Sequence, residues 1–413
     1  MTRPKLLQIF GFISLSLLPF PSFITSPGEA APFFSKDQNM EPSHYNAEGS
    51  PIFDSFDVDL LVKVLANTAF SPFFCFFIPV FFFFHGAKFT DQVFILSSAY
   101  FVFVSIFWFV RWCSKLYRNQ HGLIFGPGPL DWSEQIVILT GGASGIGELL
   151  ANTLAVRSVT VVVLDVKPIV TENYNITYYK CDVSKWEEVE AVSKRVIEEI
   201  GEPTILVNNA GVVQGKLIVD LSAEDVQQTF GVNTLSHFWI LKAFLPSLLK
   251  KKSGHVVTVS SALGLTGVAQ MTDYCASKAA LVNLHESLRY ELDKRYECPK
   301  IRTTLVCPGH VMTPMFQTVE FPRIPFFKFF CPSIQPVAIV KRIIAALDDQ
   351  QSQTVFLPFY TNFIPLVGHL PSFLRDIVQW VSGADYAMRN FTKTSSRRPD
   401  EGPLPSGLHE KKV

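Results

Sequence analysis

Between residues 131 and 360, short runs of β-branched residues alternate with charged, amphipathic segments. The runs have the length and the Val and Ile content of strands, whereas the segments between them have helical periodicity. Such alternation is typical of a parallel sheet covered by helices on both faces, so the sequence predicts a doubly wound α/β fold. The predicted strands are residues 136–139, 159–164, 176–179, 205–207, 255–259, 301–306 and 354–357.

Two apolar stretches precede this pattern. They run from about Val64 to Phe84 and from about Val93 to Trp112, and they hold many of the 38 Phe residues of the chain. Each stretch has about 20 residues, which is enough to cross roughly 30 Å of hydrocarbon as a helix. Residues 58–118 are therefore predicted to form a membrane-anchoring hydrophobic hairpin. Because two prolines interrupt the first stretch, both a pair of full spans and a hairpin within one leaflet stay open.

Charge and cysteine usage indicate which side of the membrane the folded domain faces. Arg111 lies at the end of the second apolar stretch and Lys115 and Arg118 follow it, and basic residues at such positions favour the cytoplasmic face. The seven cysteines are scattered and contain no CxxC pair, which indicates reduced thiols rather than a disulfide framework or a metal site. We therefore expect a cytoplasmic domain without a bound metal.

The two ends of the chain are interpreted as peripheral segments. Residues 1–57 form a leader and a disordered linker, because an apolar segment from Leu6 to Phe20 resembles a signal-peptide core and a Pro-rich segment without periodicity follows it. Residues 361–413 form a C-terminal extension and tail, with disorder predicted beyond Asp385. Lys+Arg and Asp+Glu both number 36, so the charge balance gives no reason to expect a nucleic-acid partner.

A glycine-rich turn joins the first predicted strand to an apolar helical segment. Gly141, Gly145 and Gly147 follow the spacing Gly-x-x-x-Gly-x-Gly. Glycines let the backbone approach a pyrophosphate closely, and the N-terminus of the following helix offers free N–H groups and a positive dipole end. The turn therefore predicts a dinucleotide site, to which Ser144 and Ile146 also belong.

The residue that ends the second predicted strand bears on the choice of dinucleotide. A carboxylate at Asp165 can accept hydrogen bonds from the ribose hydroxyls of NAD, and it would repel the 2′-phosphate of NADP. Lys167 lies nearby and keeps NADP open as the second possibility. The sequence thus predicts NAD as the cofactor, with NADP as the alternative.

Three further motifs follow the glycine turn in order. They are Asn208-Asn209-Ala210-Gly211 after the fourth predicted strand, Ser261 after the fifth, and Tyr274-Cys275-Ala276-Ser277-Lys278 on the next helix. Together with the glycine turn, these motifs resemble the short-chain dehydrogenase/reductase family over about residues 132–357. The resemblance implies a Rossmann fold and an enzyme that transfers a hydride between a nicotinamide cofactor and an alcohol or carbonyl compound.

The resemblance extends to one branch of this family. Residues 237–239, 273–278 and 304–308 are similar to the membrane-bound retinol dehydrogenases, the epidermal-type retinal dehydrogenases and the 17β-hydroxysteroid dehydrogenases of the endoplasmic reticulum and lipid droplets. This similarity implies a lipophilic substrate such as a retinoid, a steroid or a fatty alcohol, and a location at one of those membranes. Family members often form homodimers through the helices around Asn233 and Tyr274.

The chemistry requires a base for the hydroxyl proton. A free Tyr titrates near pH 10, but Lys278 lies four residues after Tyr274 on the same helix face, and its ammonium is expected to lower the tyrosine pKa. Tyr274 is then the base in oxidation and the acid in reduction. Ser261 is expected to hold the substrate oxygen. By resemblance, Asn233 holds a water that links Lys278 to solvent. The resemblance also makes Tyr274 and Lys278 cofactor-binding residues, with the lysine at the nicotinamide ribose.

The resemblance assigns the remaining cofactor contacts to four short segments. Asp182 and Val183 are expected to contact the adenine, and Asn209, Ala210 and Gly211 are expected to form the floor of the site. Pro308 and Gly309 are expected beside the nicotinamide, and Thr313 is expected to bond its carboxamide. Residues 312–332, rich in Phe, Pro and Met, are expected to cover a lipophilic substrate or to contact the bilayer surface.

Two other functions stay open from the sequence alone. One is an NADP-linked carbonyl reductase with the same residues. The other is a non-catalytic, nucleotide-binding scaffold at a membrane or lipid droplet, which the intact Tyr274 and Lys278 disfavour.

Overall fold

The computed structural model describes residues 40–42, 56–119, 128–171, 173–316, 318–322, 326–389 and 391. The predictions for the leader, for most of the linker and for the tail beyond residue 391 lie outside the described residues.

Seven parallel strands form the central sheet, in the order β4-β3-β2-β5-β6-β7-β9. They carry the Val and Ile runs of the sequence, and β5 is buried along its whole length. The predicted doubly wound α/β fold is confirmed, and each predicted strand is present with ends within two residues of the prediction. The strands are β2 (Ile136–Thr140), β3 (Thr160–Asp165), β4 (Ile176–Lys180), β5 (Ile205–Asn208), β6 (Gly254–Val259), β7 (Ile301–Pro308) and β9 (Gln353–Leu357).

Helices cover both faces of this sheet. On one face, Leu154 of α4 and Ile343 of α10 belong to the same buried cluster as the strands. On the other face, Phe244 of α7 and Leu288 of α8 do the same. The helices of the domain are α4 (Gly145–Val156), α5 (Trp186–Glu199), α6 (Ala223–Phe230), α7 (Ser236–Lys251), α8 (Thr272–Lys294), α9 (Phe327–Phe330), α10 (Pro336–Asp348), α11 (Ile364–Val367) and α12 (Ser372–Ser382).

The sheet order places a crevice between β2 and β5. The chain continues from β2 toward β3 on one side, and from β5 toward β6 on the other side. At such a switch the connections diverge, so the carboxyl ends of the two strands border an open crevice where ligands bind. The glycine turn follows β2 directly, and Asn208 ends β5. Two predicted motifs therefore meet at this crevice.

The N-terminal apolar region forms three helices, α1 (Val58–Asn67), α2 (Pro72–Phe84) and α3 (Gln92–Asn119). By length and composition α3 could cross a membrane, and α1 with α2, bent by 54° at their junction, could form a second span. Pro72 begins α2, whereas α2 continues through Pro79. The interruption predicted at Pro72 is therefore present, and the one predicted at Pro79 is not.

The break between α1 and α2 is closed by side chains of α3. Tyr100 donates a hydrogen bond to the Ala69 carbonyl at 2.7 Å, and Trp108 donates one to the Phe70 carbonyl at 2.7 Å. A helix break leaves backbone carbonyls without intrahelical partners, which is costly in hydrocarbon unless another group donates to them. These two bonds make the bent helix pair compatible with a lipid environment.

Both ends of the hairpin are attached to the segment around β9. At the end of α3, Asn119 is buried and accepts a hydrogen bond from the Ser352 backbone at 2.5 Å, while Arg302 donates to the Asn119 carbonyl at 2.8 Å. At the start of α1, Asp59 accepts a hydrogen bond from the Phe359 backbone at 2.9 Å. The hairpin therefore leaves the domain next to the residues that follow β9.

The peripheral segments contain more structure than the sequence indicated. β1 (Met40–Pro42), within the predicted linker, pairs antiparallel with β8 (Glu320–Pro322) in the region expected to cover the substrate. At the other end, residues 384–386 form a helical turn and Met388 is only 4% exposed. The prediction of disorder directly beyond Asp385 is thus wrong as far as residue 389, because this part of the tail packs against the domain.

Candidate active site

A cavity of about 730 Å³ extends along the carboxyl ends of the strands. Two predicted site residues, Gly147 and Asn233, lie behind its wall and do not line it. The other predicted residues come together around it. They are Gly141, Ser144, Gly145, Ile146, Asp165, Asp182, Val183, Asn209, Ala210, Gly211, Ser261, Tyr274, Lys278, Pro308, Gly309 and Thr313.

The glycine turn after β2 approaches its neighbours too closely for larger residues. Gly141 has a φ of +68°, and a Cβ on it would lie 2.7 Å from the Ala210 Cα. A Cβ on Gly147 would overlap the Gly141 carbonyl oxygen. Ser144, the N-cap of α4, makes no side-chain cap hydrogen bond. The turn thus offers a narrow backbone cradle at a helix N-terminus, which fits a pyrophosphate group.

The floor of the cavity is fixed to the glycine turn by hydrogen bonds. The Thr140 hydroxyl accepts from the backbone N–H groups of Asn209 and Ala210 at 3.0 and 3.1 Å. The Asn209 side chain donates to the Gly141 carbonyl at 3.1 Å. These bonds join the ends of β2 and β5, so the cofactor cradle is held by the sheet itself rather than by a mobile loop.

Two carboxylates border the opposite side of the cradle. Asp165 accepts hydrogen bonds from the backbones of Ala143 and Lys167, both at 3.0 Å. Asp182 accepts from the Ser184 hydroxyl at 2.6 Å and from the Ser184 backbone at 3.1 Å. Backbone donors hold the Asp165 carboxylate at the end of β3, where it can meet a ribose and disfavour an additional phosphate.

The catalytic candidates lie where β6 ends and α8 begins. Tyr274 is 6% exposed, and the Ser261 hydroxyl lies near enough to its phenol to act on the pKa of Tyr274. Ser261 also accepts from the Leu263 backbone at 3.1 Å. The neighbouring Ser260 instead donates to the Lys278 carbonyl at 2.8 Å. Strand alternation thus directs Ser261 toward the tyrosine and Ser260 toward the helix backbone.

The electrostatics of the Tyr274 and Lys278 pair differ from the expectation. Burial raises the pKa of Tyr274 above its ordinary value, and the nearby Ser261 hydroxyl offsets this only in part. Burial also lowers the pKa of Lys278 to about 8, although Cys307 opposes the shift. The Lys278 ammonium donates to the Val259 carbonyl at 3.0 Å and lies 5.8 Å from the Tyr274 ring centre. The predicted lowering of the Tyr274 pKa is wrong for this arrangement because desolvation dominates.

Asn233 lies in a π-helical turn, Gly231–Leu235, between α6 and α7. Its amide accepts from the Val212 backbone at 2.7 Å, and it donates to the Val212 carbonyl and to the Ser277 hydroxyl, both at 3.0 Å. A Cβ on Gly211 would lie 3.6 Å from both the Asn233 oxygen and the Lys278 nitrogen. Asn233 therefore fastens the loop after β5 to α8, directly beside Lys278. The water-holding role stays a prediction.

The far end of the cradle is closed by the loop after β7. Gly309 donates from its backbone to the Leu357 carbonyl at 2.7 Å, and a Cβ on it would lie 2.5 Å from the Tyr360 hydroxyl. Thr313 is buried, and its methyl group lies 3.8 Å from the Cβ position of Gly145. The loop thus comes within contact distance of the glycine turn.

The rest of the cavity is mainly apolar, with a few polar residues such as His310, Gln379 and Ser382. Of the charged residues that line it, Asp165, Lys167 and Asp182 lie at the cofactor end and Lys278 lies beside the tyrosine. The region expected to cover the substrate contributes Met315, Phe316, Val319, Phe321 and Phe327.

Part of this apolar wall was missed by the sequence analysis. Residues of the C-terminal extension complete it, namely Phe363, Ile364, Val367, Val378, Ala387 and Met388. One sequence signal could have found this segment, because Phe373, Ile377, Trp380 and Val381 have helical spacing.

Comparisons with known proteins agree with this geometry. A model of the short chain dehydrogenase family matches residues 135–322. Over 198 residues the chain is 40% identical to Dehydrogenase RED2 of Cochliobolus heterostrophus, covering 47% of this chain and 74% of that protein. It is 32% identical to human Retinol dehydrogenase 10, covering 66% of this chain and 89% of that protein.

A solved structure shows the same fold. A short chain dehydrogenase from Burkholderia cenocepacia J2315 in complex with NADP superimposes with a TM-score of 0.50 at 21% identity, covering 61% of this chain and 98% of that one. The expected family is thereby confirmed. The chain belongs to the short-chain dehydrogenase/reductase family and is an oxidoreductase that uses a nicotinamide cofactor, NAD or NADP.

Proposed function

We propose that this chain is a membrane-anchored dehydrogenase that interconverts a lipophilic alcohol of the retinoid, steroid or fatty-alcohol class and its carbonyl form. One observation carries the proposal. The same cavity that contains Tyr274 and Ser261 continues into an uncharged compartment lined by Phe, Met and Val side chains. Such a wall binds hydrocarbon by the hydrophobic effect and leaves the polar end of the substrate to the few polar groups present. A retinol dehydrogenase among the relatives supports the same class.

The residues around the tyrosine have distinct roles in this proposal. Ser261 holds the substrate oxygen against the Tyr274 phenol, so that the reacting carbon faces the cofactor. When bound, the nicotinamide ring accepts or supplies the hydride. In reduction Tyr274 donates its proton to the carbonyl oxygen, and its raised pKa keeps the phenol protonated for that step. In oxidation Tyr274 takes the hydroxyl proton, and the Lys278 ammonium stabilises the resulting phenolate.

We propose NAD as the preferred cofactor. The Asp165 carboxylate is held at the end of β3 by two backbone N–H groups. An unneutralised carboxylate at this place accepts hydrogen bonds from a ribose diol and repels a phosphate on that ribose. An NADP-linked carbonyl reductase is the alternative within the same chemistry, and Lys167 beside Asp165 is the residue that would support it.

Asp165→Ser is expected to weaken NAD binding by about 10- to 100-fold and to leave NADP binding unchanged or improved. A hydrogen bond to a charged group contributes about 1.5–3 kcal/mol, and the repulsion of a 2′-phosphate disappears with the charge. The dissociation constants of both nucleotides would be measured by calorimetry. Asp165→Asn is the matched variant, because it removes the charge but keeps one of the two oxygen acceptors, which can still accept from the Ala143 backbone. An equal loss of NAD and NADP affinity would contradict a role of Asp165 in cofactor choice.

Membrane anchoring is proposed from the hairpin. Only 11% of the most apolar 18-residue part of α3 is buried within the protein. The exposed aromatic side chains of this helix therefore need lipid around them. Arg111 lies at the end of the apolar part and Lys115 and Arg118 follow it, which favours a cytoplasmic catalytic domain. We propose the endoplasmic reticulum or lipid droplets as the location, and a homodimer in which the half-exposed Leu235 and Phe238 near Asn233 meet a second copy.

The deciding experiment is cofactor-dependent turnover by the full chain in detergent. Retinol, sterols and long-chain alcohols would be offered with NAD and with NADP, and their carbonyl forms with the reduced cofactors. Turnover of a lipophilic alcohol with NAD is the expected result. Turnover of carbonyl compounds with reduced NADP alone would establish the reductase instead. Nucleotide binding without turnover of any compound would establish the non-catalytic scaffold.

A further inference from the structure

The C-terminal helix α12 has a polar and an apolar side. Its apolar residues Phe373, Ile377, Trp380 and Val381 follow a helical spacing of four, three and one, so they form one stripe. Arg375 and Gln379 lie on the other side of the helix, as the period of 3.6 residues requires, and Asp376 flanks the stripe beside Trp380.

The orientation of α12 is the reverse of that in a soluble protein. Phe373, Ile377, Trp380 and Val381 are 63, 52, 57 and 45% exposed. The polar Gln379, in contrast, is only partly exposed and donates to the Gly267 carbonyl at 2.6 Å. A surface helix normally buries its apolar stripe, because each Å² of apolar surface left in water costs about 25 cal/mol.

This exposure does not result from a loosely attached segment. Gly383 ends α12 with a φ of +62°, and a Cβ on it would lie 2.5 Å from Pro322. The Ala269 backbone donates to Asp385 at 3.1 Å, and Met388 is buried. The residues after α12 therefore hold the helix in place with its apolar stripe outward.

The apolar stripe lies close in the chain to the base of the hairpin. The hairpin ends are bonded to Ser352 and Phe359, on either side of β9. From Phe359 only a helical turn and α11 lead to α12. That connection adds Phe363 and Leu366, which are 51 and 59% exposed. Because this apolar surface follows the base of the hairpin so closely in the chain, the bilayer around the hairpin is the nearest apolar environment that could cover it.

The same segment contributes to the substrate cavity. Phe363, Val367 and Val378 line the cavity, and Phe363 and Val378 are also exposed at the surface. Trp380 and Tyr386, both more than half exposed, are residue types that concentrate at the boundary between headgroups and acyl chains. The wall of the cavity and the apolar stripe are therefore two sides of one segment.

We infer that α12 lies in the headgroup–acyl boundary of the membrane that holds α3, and that the substrate cavity opens there, so that lipophilic substrates pass directly between bilayer and active site. This inference rests on the proposed membrane anchoring and substrate class. In this position the outward stripe leaves water, while Gln379 stays bonded to the domain and the exposed Arg375 and Asp376 stay in the aqueous and headgroup region.

The position of α12 is testable by fluorescence in vesicles. The full chain would be reconstituted in phosphatidylcholine whose acyl chains carry bromine near the headgroup, a quencher of nearby Trp. Trp380→Phe should remove a component of the Trp fluorescence that bromine quenches. The fraction of the total fluorescence that bromine quenches should therefore be smaller than in the unchanged chain. Trp186→Phe, within the domain beside Trp239, is the matched variant and should remove an unquenched component. A Trp380 component that is quenched by aqueous iodide and not by brominated lipid would overturn the inference.

The substrate route is testable by kinetics. Phe373, Ile377 and Val381 would be changed to Ser together. We expect about a tenfold higher KM for a long-chain alcohol supplied in vesicles, an unchanged kcat, and unchanged kinetics with a short, water-soluble alcohol. The control variant combines Val156→Ser with Val170→Ser and should leave all kinetic values unchanged. These two valines are 79 and 89% exposed and lie near the opposite edge of the sheet.

The outcomes separate this inference from the proposed function. An unchanged KM in the α12 variant, with turnover intact, would refute the membrane route and leave the dehydrogenase proposal standing. No turnover of any alcohol by the unchanged chain would refute the proposed function, while the fluorescence result would still report the position of α12. A dimer in detergent that the α12 variant converts to a monomer would show that a second copy covers the stripe, which would also overturn the inference.

Discussion

Replacing Tyr274 with Phe is expected to lower kcat about 1000-fold, since a positioned acid–base group contributes roughly 10²- to 10⁴-fold. The phenol is buried and lies near the Ser261 hydroxyl. Phe retains the ring and loses only the proton that the reaction exchanges. The affinity for NAD should change little, because the cradle at the glycine turn does not depend on that hydroxyl. Turnover with the best alcohol, the NAD dissociation constant and the thermal midpoint would be measured together.

Tyr179→Phe is the matched control for this substitution. Tyr179 is also 6% exposed and loses a hydrogen bond, the one to Glu199 at 2.6 Å, but it does not line the cavity. The Tyr179→Phe substitution should lower the stability of the protein and leave kcat unchanged. If Tyr274→Phe retained more than about a tenth of the original kcat, far above the range for a lost acid–base group, the assignment of Tyr274 would be wrong.

Acidification from pH 7 to pH 5 is expected to lower the free energy of unfolding by about 4 kcal/mol through His255 and His285. Burial also lowers the pKa of His237 and of His310, so these two residues add to the loss. Burial lowers the pKa of both His255 and His285 to about 3. Unfolded histidine titrates near 6.5, so between these values the unfolded chain binds more protons than the folded one. Stability is therefore lost as the pH falls through 6.5, at roughly 2 kcal/mol for each histidine by pH 5. Lys278, with a pKa of about 8, is charged throughout this window and contributes nothing to the change.

Thermal or denaturant unfolding in detergent at the two pH values measures this loss. His255→Gln keeps a nitrogen that can bond Thr304, the partner of His255 at 2.8 Å, and it cannot titrate. Its loss on acidification should be about 2 kcal/mol smaller than that of the unchanged chain. The exposed His369 provides the control, since His369→Gln should behave as the unchanged chain does. Equal stability of the unchanged chain at pH 7 and pH 5 would contradict the prediction.

The seven-stranded domain could be predicted from the sequence because its signals are local. The strands are short and β-branched, and the glycine turn, the Asn208-Asn209-Ala210-Gly211 motif and the Tyr274 motif keep fixed spacings from them. In a parallel sheet, the carboxyl ends of all strands meet at one edge. Motifs that follow different strands therefore come together without any knowledge of side-chain packing, and sixteen of the eighteen predicted site residues line one cavity.

Local spacing did not determine the electrostatics. The position of Lys278 four residues after Tyr274 correctly predicts a shared helix face, but not the sign of the shift in the tyrosine pKa. That sign depends on how completely the phenol is removed from water and on which acceptor the ammonium chooses, here the Val259 carbonyl. Both follow from the packing of α8 against β6, elements distant enough in the chain that their contacts cannot be read from spacing.

The segments that enclose the substrate end of the cavity could be recognised only in the tertiary structure. Residues 40–42 and 320–322 carry weak local signals, because each is short and contains Pro. The segment from α11 to Met388 contains a helical signal, but that signal does not reveal what the helix packs against. Their structure exists only through contacts far along the chain, such as β1 with β8 and Gly383 with Pro322. By itself the sequence determined the fold and named the residues that line the cofactor cradle and the candidate catalytic site. Only the folded chain showed that α12 covers the cavity with its apolar side outward, because the direction in which an amphipathic helix faces is set by what it packs against.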